Sequence, residues 1–152
     1  MHLSRLVLLP VTALLVAACS SAGATPSTTG TSASASAAST AATRIEVKLT
    51  DSLRIEPGQM SVTAGMPVTF VVTNSGATDH EFYLGDEAAQ MEHEKEMSID
   101  GMTHDEPAGI SVKPGETKEL TYTFAAAGQA LAGCHVAGHY GGGMKAAITV
   151  TG

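Results

Sequence analysis

Gly133-Cys134-His135-Val136-Ala137-Gly138-His139-Tyr140-Gly141-Gly142-Gly143-Met144 is the stretch on which the fold of this chain turns. Cys134, His139 and Met144 place a thiol, an imidazole and a thioether at even spacing, with four residues between each pair. The glycines at 138 and 141–143 let the chain bend tightly between these donors. Alternating residues follow the stretch, so it reads as a loop held by two strands, a rigid mount for ligands. A second imidazole, His80, stands far upstream in Asn74-Ser75-Gly76-Ala77-Thr78-Asp79-His80-Glu81-Phe82, where it follows a turn and opens another strand. A thiolate, two imidazoles and a more distant thioether suit an ion cycling between Cu(I) and Cu(II). Zinc normally takes a harder ligand or water where this set has Met.

Outward from that loop the pattern has period two. Ile45, Val47 and Leu49 alternate with Glu46, Lys48 and Thr50. Val68, Phe70 and Val72 alternate likewise, as do Leu120, Tyr122 and Phe124, and Ile148 and Val150 close the chain. Short alternating runs predict half-buried strands. Pro57-Gly58, Ala64-Gly65, Asn74-Ser75-Gly76, Pro114-Gly115-Glu116 and Gly128 supply the turns between them. The expectation is an all-β chain folded as an antiparallel sandwich or barrel. Its core is pale, with three Phe, three Tyr and no Trp.

These residues resemble the cupredoxins, the small blue copper proteins, over essentially all of 44–152. The Cys-x4-His-x4-Met spacing is similar to that of the rusticyanin and auracyanin branch, and Asn-Ser-Gly…His-x-Phe is similar to the family's first-ligand strand. The resemblance implies a Greek-key β-sandwich with one type 1 copper at one end. His80 and His139 would be the equatorial imidazoles, Cys134 the thiolate and Met144 the axial thioether. It also implies an electron port at an exposed edge of His139. The chain departs from the family at three points. Ala137 stands where many members have Pro, and Glu81 where many have an Asn that ties the ligand loops together. Gly133 leaves nothing bulky beside the sulfur.

The stretch from Gly85 to Gly109 lacks alternation, and Asp86 to Ile99 reads as a helical or irregular insertion. From Asp79 to Glu106 there are ten acids and one base, whereas the remainder of 44–152 has six bases and five acids. Met91, His93, Met97, Met102 and His104 fall within this acidic stretch, a mixture suited to secondary copper binding. If the segment is helical, His93 and Met97 share a face. The plainer reading is a solvated connection whose methionines cover the sandwich edge. The acidic charge would also steer a basic redox partner.

Other readings of the same residues stand beside copper. Cys134 alone is a small buried hydrophobe as readily as a ligand. Cys134 with a histidine also suggests a thiol nucleophile, although no third orienting group is evident. His135 adjoins Cys134 and points the other way in extended chain, away from the ligand set. A shell that binds no metal is a third alternative. A multicopper oxidase needs several His-x-His pairs, and the sequence has none. The chain is therefore expected not to be an enzyme. The leading expectation is a membrane-anchored carrier of single electrons by Cu(I)/Cu(II) cycling, working with membrane redox proteins; the alternative is an extracytoplasmic protein that stores, delivers or detoxifies copper through the Met/His stretch 91–104, alongside copper-trafficking proteins.

The N-terminal part reads as address and tether. Arg5 precedes an apolar run, Leu6 to Ala18, that is too short to span a bilayer and resembles an export signal. Leu15-Val16-Ala17-Ala18-Cys19 resembles a bacterial lipoprotein box, implying a signal peptide over 1–18, cleavage before Cys19 and its lipidation. Ordinary cleavage leaving a free thiol is the alternative. Residues 20–43 are only Ser, Thr, Ala, Gly and Pro, so they gain too little burial to offset their ordering entropy. As a flexible linker that run would reach about 27 Å on average. The expected location is outside the cytoplasm, lipid-anchored to the outer face of the plasma membrane or periplasmic. With 152 residues, 15% charged and a net charge of −7, the chain has one modest domain and no basic cluster for nucleic acid.

Overall fold

In the computed structural model, which describes residues 43–100 and 105–152, the alternating runs become strands. The expected signal peptide at 1–18, Cys19 and the linker up to residue 42 lie outside the described residues, as do Met102 and His104. The strands are β1 (Thr43–Thr50), β2 (Arg54–Glu56), β3 (Gln59–Thr63), β4 (Pro67–Asn74), β5 (His80–Gly85), β6 (Gly109–Val112), β7 (Thr117–Thr123), β8 (Gly128–Gly133) and β9 (Lys145–Thr151). One helix, α1 (Glu87–Asp100), stands between β5 and β6. The strands form two sheets, ordered β2-β1-β4-β7 and β3-β9-β8-β5-β6.

The sandwich is as expected, but its sheets are mixed rather than antiparallel. β1 runs parallel to β4, with Val47 opposite Val72, and β3 runs parallel to β9, with Met60 opposite Ile148. After β2 the chain crosses to the other sheet as β3, so β4 returns beside β1 in the same direction. Period-two alternation reports which face is buried and says nothing of strand direction.

Between the sheets lie Val47, Leu49, Phe70, Val72, Phe82, Leu84, Ile148 and Val150, all buried. Phe70 and Phe82 meet across the layers with ring centroids 5.3 Å apart. Burying each such side chain contributes about 1.5–3 kcal/mol. Met60 belongs to this core, whereas Met66 is exposed. Cys134 and Met144 belong to the same apolar cluster, so the ligand loop is continuous with the core.

Within the acidic insertion, Glu87–Asp100 is helical. Asp86 caps it, accepting the Ala89 N–H at 2.9 Å, and Glu87 in the first turn complements the helix dipole. α1 packs on β5 and β8. The face it buries holds Gln90, His93 and Met97, whereas Met91 and Ile99 are exposed. A strand passing under such a cover is buried on both sides. In β5, Phe82 faces the sandwich core, while Glu81 and Tyr83 face the helix, with the Tyr83 ring stacked on His93 at 3.9 Å.

Candidate metal centre

β5 delivers His80 at its first residue, and the loop from the end of β8 to the start of β9 delivers Cys134, His139 and Met144. That loop is closed by its own backbone. His139 N–H donates to Val136 O at 2.8 Å, Gly142 N–H to Gly138 O at 2.9 Å, and Met144 N–H to His139 O at 3.0 Å. Cys134 N–H donates to Met144 O at 3.1 Å, tying the first donor residue to the last. Gly138 (φ 82°) and Gly143 (φ 93°) take left-handed backbone that side-chain-bearing residues resist.

Three of the four expected ligands converge. Cys134 Sγ lies 3.4 Å from His139 Nδ1 and 3.8 Å from His80 Nδ1. The donor atoms of His80, Cys134 and His139 all fall within 4.8 Å of one another. The His80 and His139 rings are 5.0 Å apart and tilted by 48°. Met144 is wholly buried at the end of the same loop. His80 and Cys134 are inaccessible to solvent, and His139 is partly exposed.

The electrostatics suit a cation. Burial pushes the Cys134 thiol up to about 11, against the opposing pull of the Glu81 and Val136 backbone N–H groups. Glu81 N–H reaches the sulfur at 3.3 Å. Burial lowers His139 from its usual range, and the neighbouring His80 adds to this. Neutral imidazole is the ligating form, and a bound cation would displace the thiol proton. The donor set of one sulfur and two imidazoles, with a buried thioether nearby, fits copper.

Partners behind the ligands hold them in place. His80 turns its other nitrogen, Nε2, to Asp51 Oδ1 at 3.3 Å. The Asp51 carboxylate also accepts from Ala77 N–H (2.7 Å), Thr78 N–H (3.3 Å) and the Thr78 hydroxyl (2.8 Å). The Ala77 and Thr78 donors hold its pKa at about 2. Asn74 closes the same turn, donating to Thr78 O and Val112 O and accepting from Gly76 N–H. Glu81 bridges the two ligand strands: its Oε2 accepts the His135 N–H at 3.1 Å. The tie that many family members make with Asn is thus made here by a buried carboxylate.

His135 points away from the ligands, as its position beside Cys134 predicts. Its Nδ1 meets Glu94 Oε2 at 2.6 Å and its Nε2 meets Gln90 Oε1 at 2.7 Å. His93, expected with the methionines, instead meets carboxylates: Nε2 lies 2.9 Å from Glu81 Oε1, and Nδ1 lies 3.5 Å from Glu106 Oε1. Met97 is buried on the same helix face, and Met91 is exposed. Sequence reading missed Asp51, Gln90, Glu94 and Glu106 as parts of this network, and marked Glu81 only as a departure from the family's Asn. The one available signal was the acid next to His80: once His80 is a ligand, strand alternation sends its neighbour to the opposite face.

Two β-sheets with a Cys-His-Met loop at one end define a cupredoxin-like protein. The fold is that of dithionite-reduced auracyanin from the photosynthetic bacterium Roseiflexus castenholzii (TM-score 0.67, 24% identity, 73% of this chain and 98% of that one). It is also that of auracyanin A, a blue copper protein of Chloroflexus aurantiacus (TM-score 0.59, 26% identity, 71% of this chain and 98% of that one). By sequence, the chain belongs to the family of copper-resistant cuproproteins called CopI. It is 36% identical over 140 residues to CopI of Pseudomonas aeruginosa, covering 72% of this chain and 77% of that protein. It is 33% identical over 107 residues to CopI of Rubrivivax gelatinosus, spanning 65% of that relative's length. No protein-family model matches the chain.

Proposed function

We propose that this chain is an exported copper-handling protein that holds one copper ion through His80, Cys134, His139 and Met144. The convergence of Cys134 Sγ with the Nδ1 atoms of His80 and His139 carries the reading. The relatives named for copper resistance support copper tolerance as the setting. Copper, when bound, supplies one-electron exchange between Cu(I) and Cu(II).

The chain's own residues do the rest. Asp51 fixes the His80 ring from behind. Glu81 holds the two ligand strands in register through His135 N–H, and its own N–H supports the sulfur. Burial of His80, Cys134 and Met144 keeps water from the donors, and partly exposed His139 is the side open to exchange. A donor set held this firmly before loading needs little rearrangement on binding.

Electron carriage is the second reading, favoured by the His139 edge and by the acidic segment, which would attract a basic redox partner. A copper-trafficking protein is the partner under the first reading. Neither gives the chain a substrate to transform. Cys19 is the lipidation site in this proposal, anchoring the domain at the outer face of the plasma membrane or within the periplasm.

Complementation of a copper-sensitive strain tests the proposal. Wild-type chain restores growth on copper, and Cys134→Ser and His139→Ala do not. Equal rescue by Cys134→Ser would overturn it. Loss of labelled fatty acid from a Cys19→Ala chain tests the anchor.

A further inference from the structure

Under α1, on the opposite face of β5 from the sandwich core, lies a second group of metal-ligating side chains that the cupredoxin site does not use. Glu81, His93 and Glu106 bring one donor atom each to within 4.8 Å of one another. The two carboxylates bracket a single imidazole, one at each ring nitrogen, at 2.9 Å and 3.5 Å. Glu96 approaches the same Nδ1 at 3.8 Å. Glu81 is 0% exposed and His93 3% exposed.

The surroundings are acidic. Glu81, Glu94, Glu96 and Glu106 gather here, and among the described residues the ion pairs they make are with His93 and His135 alone. Of the four only Glu81 is buried, and it lies beside His93; Glu94 and Glu96 are 41% and 65% exposed and are screened by solvent, so the cluster is an acidic surface that draws cations and leaves no buried charge unpaired. One imidazole with two carboxylates is a donor set for a divalent first-row ion, among which Cu(II) binds most tightly. Metal–ligand distances of about 2.0–2.2 Å place donors roughly 3–4 Å apart, so the carboxylates that now face the two ring nitrogens must be drawn to one of them by a side-chain rearrangement of more than about 1 Å. Glu106 is 27% exposed, which leaves a route in from solvent.

We propose that Glu81, His93 and Glu106 form a second metal site, one that takes Cu(II) through nitrogen and oxygen donors. The site is independent of the sulfur donor at Cys134, yet it is joined to the first site through Glu81, the residue that follows His80. Its oxygen-rich donors favour Cu(II), whereas the thiolate and thioether of the first site accommodate Cu(I) as well.

The test is a Cu(II) titration of the copper-free full chain. The first site is read by its thiolate absorption and the second by an additional axial EPR signal with coupling to one imidazole. Wild type is expected to take a second equivalent. Glu106→Gln, a near-isosteric change at a partly exposed position, is expected to weaken that equivalent by roughly tenfold or more while leaving the thiolate band unchanged. His93→Ala removes it, and His104→Ala leaves it in place. A wild-type chain that stops at one equivalent, or a second equivalent that survives in Glu106→Gln at wild-type affinity, would overturn the proposal. A missing thiolate band reports instead on the first site.

Discussion

Glu81→Ala in the copper-free protein removes a side chain that ties the first ligand strand both to the ligand loop and to the helix. Glu81 is wholly buried, its Oε2 accepting His135 N–H at 3.1 Å and its Oε1 meeting His93 Nε2 at 2.9 Å. His135 and His93 are themselves 2% and 3% exposed, so water cannot replace the lost acceptor. Each orphaned buried group costs about 1–3 kcal/mol, hence roughly 2–6 kcal/mol together. Against a domain stability of about 5–15 kcal/mol that is a large fraction. At about 4–8 °C per kcal/mol, the thermal midpoint falls by at least about 8 °C. Glu81→Gln retains an acceptor for His135 N–H and keeps a polar group beside His93 Nε2, so its loss should stay within about 1 kcal/mol. Urea denaturation followed by far-UV circular dichroism at neutral pH measures both variants. A Glu81→Ala protein within about 1 kcal/mol of wild type would refute the bridging role. So would a Glu81→Gln protein as weak as Glu81→Ala.

Three further outcomes are expected. In Gly133→Ala the added methyl would stand 2.4 Å from Gln90 Oε1, 2.8 Å from the Tyr140 ring and 3.0 Å from His135 Nε2, so stability falls by about 1–3 kcal/mol in a chemical-denaturation series. Asp51 has a folded pKa of about 2 against an ordinary value of 3.8, so its contribution is complete above pH 3.8 and is lost as pH falls towards about 2. Asp51→Asn is therefore less stable than wild type at neutral pH and loses less between about pH 4 and pH 2, as thermal melts across that range will show. Electron exchange with a cationic redox protein, followed by stopped flow, slows as ionic strength rises, because the screening length shrinks from about 30 Å at 0.01 M to about 3 Å at 1 M.

Much of this architecture was legible because alternation and ligand spacing are local. Val47 and Leu49, Phe70 and Val72, and Ile148 and Val150 are buried where period two places them. His80, Cys134 and His139 meet where their motif implies. β8 was hidden because Gln129-Ala130-Leu131-Ala132 has no β-branched or aromatic residue, although Ala130 and Ala132 are buried. The parallel pairings of β1 with β4 and β3 with β9 depend on where the chain crosses between sheets, which no single strand records. The network beneath α1 was the least visible. Its buried face is Gln90, His93 and Met97, so the helix lacks the apolar stripe by which a covering helix is recognised. Glu81, Glu94 and Glu106 read as surface charge until that cover is in place.

The most direct measurement is an optical and EPR spectrum of the copper-loaded chain, taken with its metal stoichiometry, for wild type and Cys134→Ser. An intense sulfur-to-copper charge-transfer band is expected at one equivalent in the wild type and is absent from the serine variant. Stoichiometric Cu(II) uptake by the wild type with no such band would contradict this expectation.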